Sequence, residues 1–396
     1  MTDSDSDSSY FPPELVLEIL LKLPAKSLLR FTLVSKSWHA LITSSPFIST
    51  HLTQTPRINT LLVRRYISTH NKEHYSLFQD SKKTLFCLNF TSELNFPFNC
   101  QLGYFRIIGS CNGILCLCDD LFGQLRNLVL WNPCIQKFVT LPLPEIKPEE
   151  PHMFVLGFGC DLVENSDYKL VRVVYVKNED DVYNVPPEVE VYSSKRGIWR
   201  RVMGVEIKHC IMEFMWCQVW LNGVVHWIAY DVVANGGGIR NLVMSFSVAD
   251  EVFGEIMLPD DLVSEIAMNL GVTVFEGSLA VVKYERGLDG GGSCEVWVMK
   301  SYGVVESWNR LYRINLVAGM EKVVGFRNNR EVLFSTRRNE LVSYDPSSGQ
   351  TKDLGIRGSS RSFYVQNYVE SLVLLKGNTV VSDGFLEGMG RLWNYE

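Results

Sequence analysis

The sequence predicts a mostly β protein with a small N-terminal α module: three short helices, then a β-propeller of roughly six blades. Three observations carry this prediction. A helical stripe of apolar residues is confined to residues 11–52. After residue 57, a strand–turn–strand unit recurs at a spacing of 54 residues. Two-residue turns of the Asn-Gly kind separate apolar runs throughout that second part, the strongest short-range signal for a hairpin.

The helical module comes first. In "ELVLEILLKL" the apolar residues Leu15, Val16, Ile19, Leu20 and Leu23 follow i, i+1, i+4, i+5, i+8, the period of a helix face. Pro12 and Pro13 suit a first turn, where a missing N–H costs nothing. Glu14 favours the same end through the helix dipole. Pro24 stops this helix, because the residue before a proline avoids the α region. A second helix carries Leu28, Leu29, Phe31 and Leu33. "VSKSWHALI" supplies a third short turn, with Val34, Trp38, Leu41 and Ile42 expected inward. The apolar side chains of this module are too few to offset the ordering of about forty residues, so it must pack on another surface. The stripe of the first helix is wide, which points to a second contact beyond the internal one.

The long part is organised by its repeats. "VEVYSSKRGIWRRV", "LVMSFSVADEVFGEIMLP" and "CEVWVMKSYGVVESWNRLYRI" are each a strand, a turn and a second strand entered through an aromatic. Tyr192 and Phe246 are 54 residues apart, as are Trp199 and Phe253, Tyr230 and Tyr284, and Gly236 and Gly290; Trp308 follows Phe253 by 55. "NLVLWNPCIQKFVTLP" and "ELVSYDPSSGQTKDLGI" are looser copies. Other strands lie between these hairpins, joined by turns such as Asn112-Gly113, Asn222-Gly223 and Glu276-Gly277. A unit of about 50 residues with about four strands is the content of a propeller blade, and about 320 residues hold roughly six. "SFYVQNYVESLVLL" is expected to complete a blade begun at "RINTLLVRRY" and so close the ring. A pair of β-sandwiches is the competing architecture.

Composition narrows the function classes. The chain has 396 residues, a formal charge of −6 and 21% charged residues. Lys and Arg do not cluster, so no nucleic-acid footprint is visible. "MTDSDSDSSY" is acidic and lacks the apolar core of a secretory signal, which sets the expectation of cytoplasm and/or nucleus. The ten Cys fall in apolar runs and are expected reduced and buried. Cys111, Cys116 and Cys118 match no standard zinc spacing; they read as a strand with Cys116 and Cys118 on one face. His70 and His74 sit in a polar loop, "STHNKEHYS". His226 within "VVHWIAY" reads as a hydrogen-bonded strand histidine. "GFGCDL" has Leu162 where a dinucleotide fingerprint needs glycine, and reads as a strand turn. "SSKRGIW" lacks the Asp and Thr of a sialidase Asp-box. No G-x-S-x-G, HExxH or P-loop occurs. No cofactor, metal or catalytic residue is therefore expected. The acidic stretches "KNEDD" and "LPDD" read as solvated turns that could also meet a basic partner; "ANGGGIR" and "LDGGGSC" read as flexible connections, the alternative being loops near one another on one rim.

Two stretches carry a family resemblance. Phe11-Pro12, Glu18-Ile19-Leu20, Leu23-Pro24-Ala25-Lys26-Ser27-Leu28, Phe31, Val34-Ser35-Lys36-Ser37-Trp38 and Leu41-Ile42 together resemble a three-helix F-box, in a form similar to plant members. Phe11 and Ser35 stand where the family more often has Leu and Cys. "SCNGILCL", "LVLWNP", "VEVYSSKRGIWR", "LNGVVHWIA" and "SFSVADEVFGEIMLP" resemble the plant F-box-associated domain of type 1, a kelch-like propeller at the C-terminal side of the F-box. The organisation so read is a disordered acidic tail at 1–10, an F-box at 11–52, the propeller at 57–376 and a tail at 377–396. The resemblance implies the substrate-recognition subunit of an SCF-type ubiquitin ligase. It implies docking on a Skp-family adaptor, and through it on cullin and RING subunits, with the propeller holding the target protein. The positions it carries over as adaptor contacts are Pro12, Leu15, Ile19, Leu20, Leu23, Pro24, Leu28 and Val34. It names no target-binding residue. The alternatives are an adaptor-bound scaffold outside a ligase, or a propeller enzyme.

Overall fold

The computed structural model describes residues 12–54, 60–80, 88–98, 105–119, 125–149, 152–162, 167–177, 179, 183, 185–212, 218–232, 239–286, 292–317, 319–359, 361–373 and 379–381. Their strands form six sheets, each a propeller blade. Blade one is β1 (Thr60–Ile67), β2 (Lys72–Gln79) and β3 (Asn89–Leu94). Blade two is β4 (Arg106–Cys111), β5 (Ile114–Asp119), β6 (Asn127–Asn132) and β7 (Lys137–Thr140). Blade three is β8 (His152–Cys160), β9 (Tyr168–Val176), β10 (Glu188–Ser193) and β11 (Ile198–Arg201). Blade four is β12 (Cys210–Ile211), β13 (Gln218–Leu221), β14 (Val224–Val232), β15 (Ile239–Ser247) and β16 (Val252–Met257). Blade five is β17 (Leu270–Phe275), β18 (Ser278–Arg286), β19 (Gly292–Met299) and β20 (Trp308–Asn315). Blade six is β21 (Met320–Phe326), β22 (Val332–Thr336), β23 (Glu340–Asp345) and β24 (Gln350–Arg357).

The ring closes as the sequence predicts. β25 (Tyr364–Asn367) pairs antiparallel with β1, from Leu61 opposite Asn367 to Arg64 opposite Tyr364, and gives blade one its inner strand. Arg64 secures this closure. Its buried guanidinium donates to Glu73 (2.9 and 3.1 Å), to the carbonyl of Ser362 just before β25 (2.8 Å), and to the carbonyl of Phe105 at the entry to blade two (2.9 Å).

Six apolar clusters fill the six interfaces between neighbouring blades. Strand alternation is what allows this. On β5, Leu115 and Leu117 face blade one, while Ile114, Cys116 and Cys118 face blade three. The paired cysteines thus share one face, as expected, and serve as small apolar side chains. Burial pushes the Cys116 thiol well above its ordinary value.

The 54-residue repeat marks the hairpin of third and fourth strands. Tyr192 stands opposite Trp199, Phe246 opposite Phe253 and Met299 opposite Trp308. The indoles also reach back one blade. Trp199 Nε1 donates to the carbonyl of Pro142 (2.8 Å) and Trp308 Nε1 to that of Met257 (3.1 Å). The turns Asn112-Gly113, Asn222-Gly223 and Glu276-Gly277 each join first to second strand, with positive φ at both residues. Two such residues match the right-handed twist of the hairpin.

Several expectations are corrected. "GFGCDL" does not turn at its glycines: Gly157 and Gly159 lie inside β8. A Cβ on Gly157 would overlap the Trp227 ring, and one on Gly159 the Trp220 ring. The glycines are there so that the indoles of blade four can lie on blade three. Gly157→Val is therefore expected to destabilise the fold by about 3 kcal/mol or more, read as a shift of the urea midpoint. His74 is in β2, not a loop, with Nδ1 2.8 Å from Glu93. Residues 379–381, expected in a tail, form β26 (Thr379–Val381) on the free edge of β7, where unpaired backbone groups accept another strand. "LPDD" opens a one-turn helix, Asp260–Val263. "KNEDD" is only partly within the described residues, and both glycine runs lie outside them apart from Gly292 and Ile239 onward.

His226 is the strand histidine expected. Its Nε2 lies 2.7 Å from Tyr302 Oη across the interface of blades four and five. Burial lowers its pKa to about 4. The folded chain then holds fewer protons than the unfolded one between pH 6.5 and 4. Its contribution is complete above about pH 6.5 and is lost as pH falls toward 4, by about 3 kcal/mol. Urea unfolding of wild type and His226→Gln across that range is expected to show a steeper acid loss in the wild type.

Candidate functional site

The N-terminal helices are four, not three: α1 (Pro13–Leu21), α2 (Ala25–Phe31), α3 (Lys36–Ile42) and α4 (Ser45–Gln54). Pro12 and Pro24 precede α1 and α2, and Ser35 Oγ accepts the Trp38 N–H (3.1 Å) to cap α3. The fourth helix holds the others in place. Phe47 joins the shared core, and His51 Nε2 lies 2.8 Å from the carbonyl of Leu23. Its stripe was hard to see because Ser45, Pro46, Ser49 and Thr50 make the segment read as a loop.

The inner face of this module packs on the propeller. Leu20, Leu21, Ala25, Leu28, Ile42 and Phe47 share one core with Cys134, Ile135 and Leu372. Cys134 and Ile135 belong to the turn between β6 and β7, and Leu372 to the chain that leaves β25. Lys26 pairs with Glu370 on the same segment (3.1 Å). The module therefore finds the surface that its own apolar content requires.

The outer face has no such cover. Leu15 is 48% exposed, Ile19 55% and Val34 63%; Leu33 is exposed next to Val34, and Leu17 is exposed on the opposite side of α1 from Leu15. The predicted contact residues thus divide. Pro12, Leu15, Ile19, Pro24 and Val34 face outward and Leu23 is half-buried. Leu20 and Leu28, at 1% and 0% exposure, are core. Both lie in the core that the module shares with Cys134, Ile135 and Leu372 of the propeller. Val34, expected inward, stands at the turn before α3 and points out. Leu17 and Leu33 were missed. For Leu17 the signal was that α1 is apolar on nearly every side, which requires two bodies to cover it.

The topology assigns the helices to one face of the ring. Strands alternate in direction, so turns from first to second and from third to fourth strand share that face. Connections from second to third strand, and crossings between blades, lie on the other.

An F-box domain model matches residues 9–50, and an F-box associated β-propeller domain model matches residues 65–375. The chain belongs to the F-box associated β-propeller family. The propeller follows the N-terminal F-box directly and makes up most of the chain. Two Arabidopsis thaliana proteins are similar along nearly their whole length. F-box protein At4g22390 is 28% identical, covering 92% of this chain and 90% of its own. F-box protein CPR1 is also 28% identical, covering 92% and 88%. F-box/kelch-repeat protein At3g23880, from the same plant, is 27% identical, covering 86% and 88%. Among solved structures, the chain is distantly similar to the tricorn protease (9% identity, TM-score 0.36, 78% of this chain and 30% of that one) and to an oligogalacturonate lyase (8%, 0.36, 75% and 78%). Among the described residues, no group of His, Cys, Asp or Glu is placed to hold a metal ion, and no helix is long and apolar enough to cross a membrane.

Proposed function

We propose that this chain is the substrate-recognition subunit of an SCF-type ubiquitin ligase. The observation that carries the reading is the uncovered apolar side chains of Leu15 and Ile19 on α1 and of Leu33 and Val34 in the turn before α3, on a module whose inner side packs on the propeller. In this reading that face docks a Skp-family adaptor, with Pro12, Leu23 and Pro24 at its edge, and the adaptor links to cullin and RING subunits. The propeller holds the target protein. The contribution is proximity: a tethered target meets the charged conjugating enzyme at a raised effective concentration. The chemistry belongs to the other subunits, and this chain supplies no catalytic group. In this reading the chain acts in the cytoplasm, the nucleus or both.

Co-purification of the full chain with a Skp-family adaptor and a cullin tests this. Retention of both is expected. Retention of neither overturns the reading, and retention of adaptor without cullin replaces it with an adaptor-bound scaffold.

A further inference from the structure

The face of the ring away from the helices carries apolar side chains with nothing over them. Two successive inter-blade crossings contribute. Met203, 86% exposed, lies on the crossing after β11. Ile266 and Met268, also exposed, lie on the crossing after β16, at the far side of blade four. Beside Met203 opens a cleft of about 240 Å³, walled by Ile146 of the crossing after β7, by Pro187 and Val189 at the start of β10, and by Val202 and Val205. Arg201 also borders it, but its charge is answered by Glu188 (3.0 Å).

The charge on the three crossings of this arc, after β7, β11 and β16, has one sign in excess. Glu145 and Glu149 on the first crossing, Glu206 on the second, and Asp260 and Asp261 on the third are exposed, and none has an ion-pair partner among the described residues. Glu265 is paired with Lys283 (3.1 Å). Lys147 and Lys208 are the cations on the same crossings. Across the ring the balance reverses: the turns of blades six and one on this face bring Arg337, Arg338 and Arg361. Unanswered carboxylates beside an apolar cleft favour an apolar ligand that brings positive charge, and disfavour a negative one.

We propose that this rim binds an extended segment of the recruited protein in which a large apolar side chain is flanked by Lys or Arg. The apolar side chain enters the cleft beside Met203. The flanking cations face Glu206 and the Asp260–Asp261 pair. The proposal rests on the receptor reading above and gives it a class of target segment.

The test uses the full chain and fluorescein-labelled peptides of about nine residues, with Leu, Met, Phe or Trp at the centre and either Lys or Glu on both sides. Fluorescence anisotropy is expected to show the Lys-flanked peptides binding at least about tenfold more tightly, with the gap closing between about 0.05 and 0.5 M salt. Met203→Ser and Glu206→Lys are each expected to weaken that binding at least about fivefold, with an unchanged melting temperature because both positions are exposed. Equal binding of the two peptide sets, binding of neither, or binding indifferent to Met203→Ser overturns the proposal. So does self-association of the chain that Met203→Ser abolishes, since a second copy would then be the occupant. Adaptor capture is measured on the same samples. Capture without peptide discrimination overturns the rim site alone; discrimination without capture overturns the ligase reading alone.

Discussion

Ile19→Asp is expected to abolish adaptor capture while leaving the chain folded. Ile19 is more than half exposed on α1, so placing a carboxylate there costs the isolated chain little. In a closed apolar interface the same carboxylate is desolvated without a partner. A loss of at least about 100-fold in affinity, near 3 kcal/mol, is expected in titration calorimetry against a Skp-family adaptor. Leu28→Asp supplies the contrast. Leu28 is fully buried against the module's own helices and the propeller, in one core with Ile135 and Leu372. An unpaired charge there costs several kcal/mol of folding free energy. Its loss of capture should come with early melting of the helices by circular dichroism. If Ile19→Asp keeps full capture while Leu28→Asp loses it, the outward face is not the docking surface. The adaptor would then have to meet the module elsewhere.

Arg64→Met is expected to be the most damaging single change in the propeller, costing about 3–5 kcal/mol in urea unfolding. Removing the guanidinium leaves Glu73 buried with its charge uncompensated and takes the donor from the carbonyls of Ser362 and Phe105. Glu73 keeps the Phe105 N–H (2.7 Å) and the Tyr75 hydroxyl (2.9 Å), which are not enough to replace a full charge. These groups join the first, last and second blades, so the variant should also loosen β25 from β1. Faster amide exchange at Val365 and Gln366 than at Val155 or Val173 would show that local opening. Equal exchange at all four would mean that Arg64 stabilises the ring as a whole rather than its closure.

Some of this was written locally in the chain. The type of each element follows from period, and period is a property of neighbouring residues: helical through Leu15, Ile19 and Leu23, alternating through Leu115, Cys116, Leu117 and Cys118. The blade count followed from a spacing that the chain repeats, and the tight turns from Asn-Gly pairs that tolerate positive φ. An apolar excess in the helical module told that it needed more than one surface. The sequence by itself thus determined the architecture, the order of the two parts and the residues from which any docking face must be drawn.

What it could not decide was which side of α1 meets which body. Leu20 and Ile19 are adjacent in the chain and equally apolar, yet one is core and the other faces water. The choice is made by Cys134, Ile135 and Leu372, which lie more than a hundred residues away and reach the helices only when the ring closes. The same holds for Gly157, whose neighbour is an indole from the next blade, and for Arg64, whose partners come from opposite ends of the chain. Contacts between residues distant in sequence leave no period behind. Only the tertiary structure sets them, because burial depends on what else arrives at the same place.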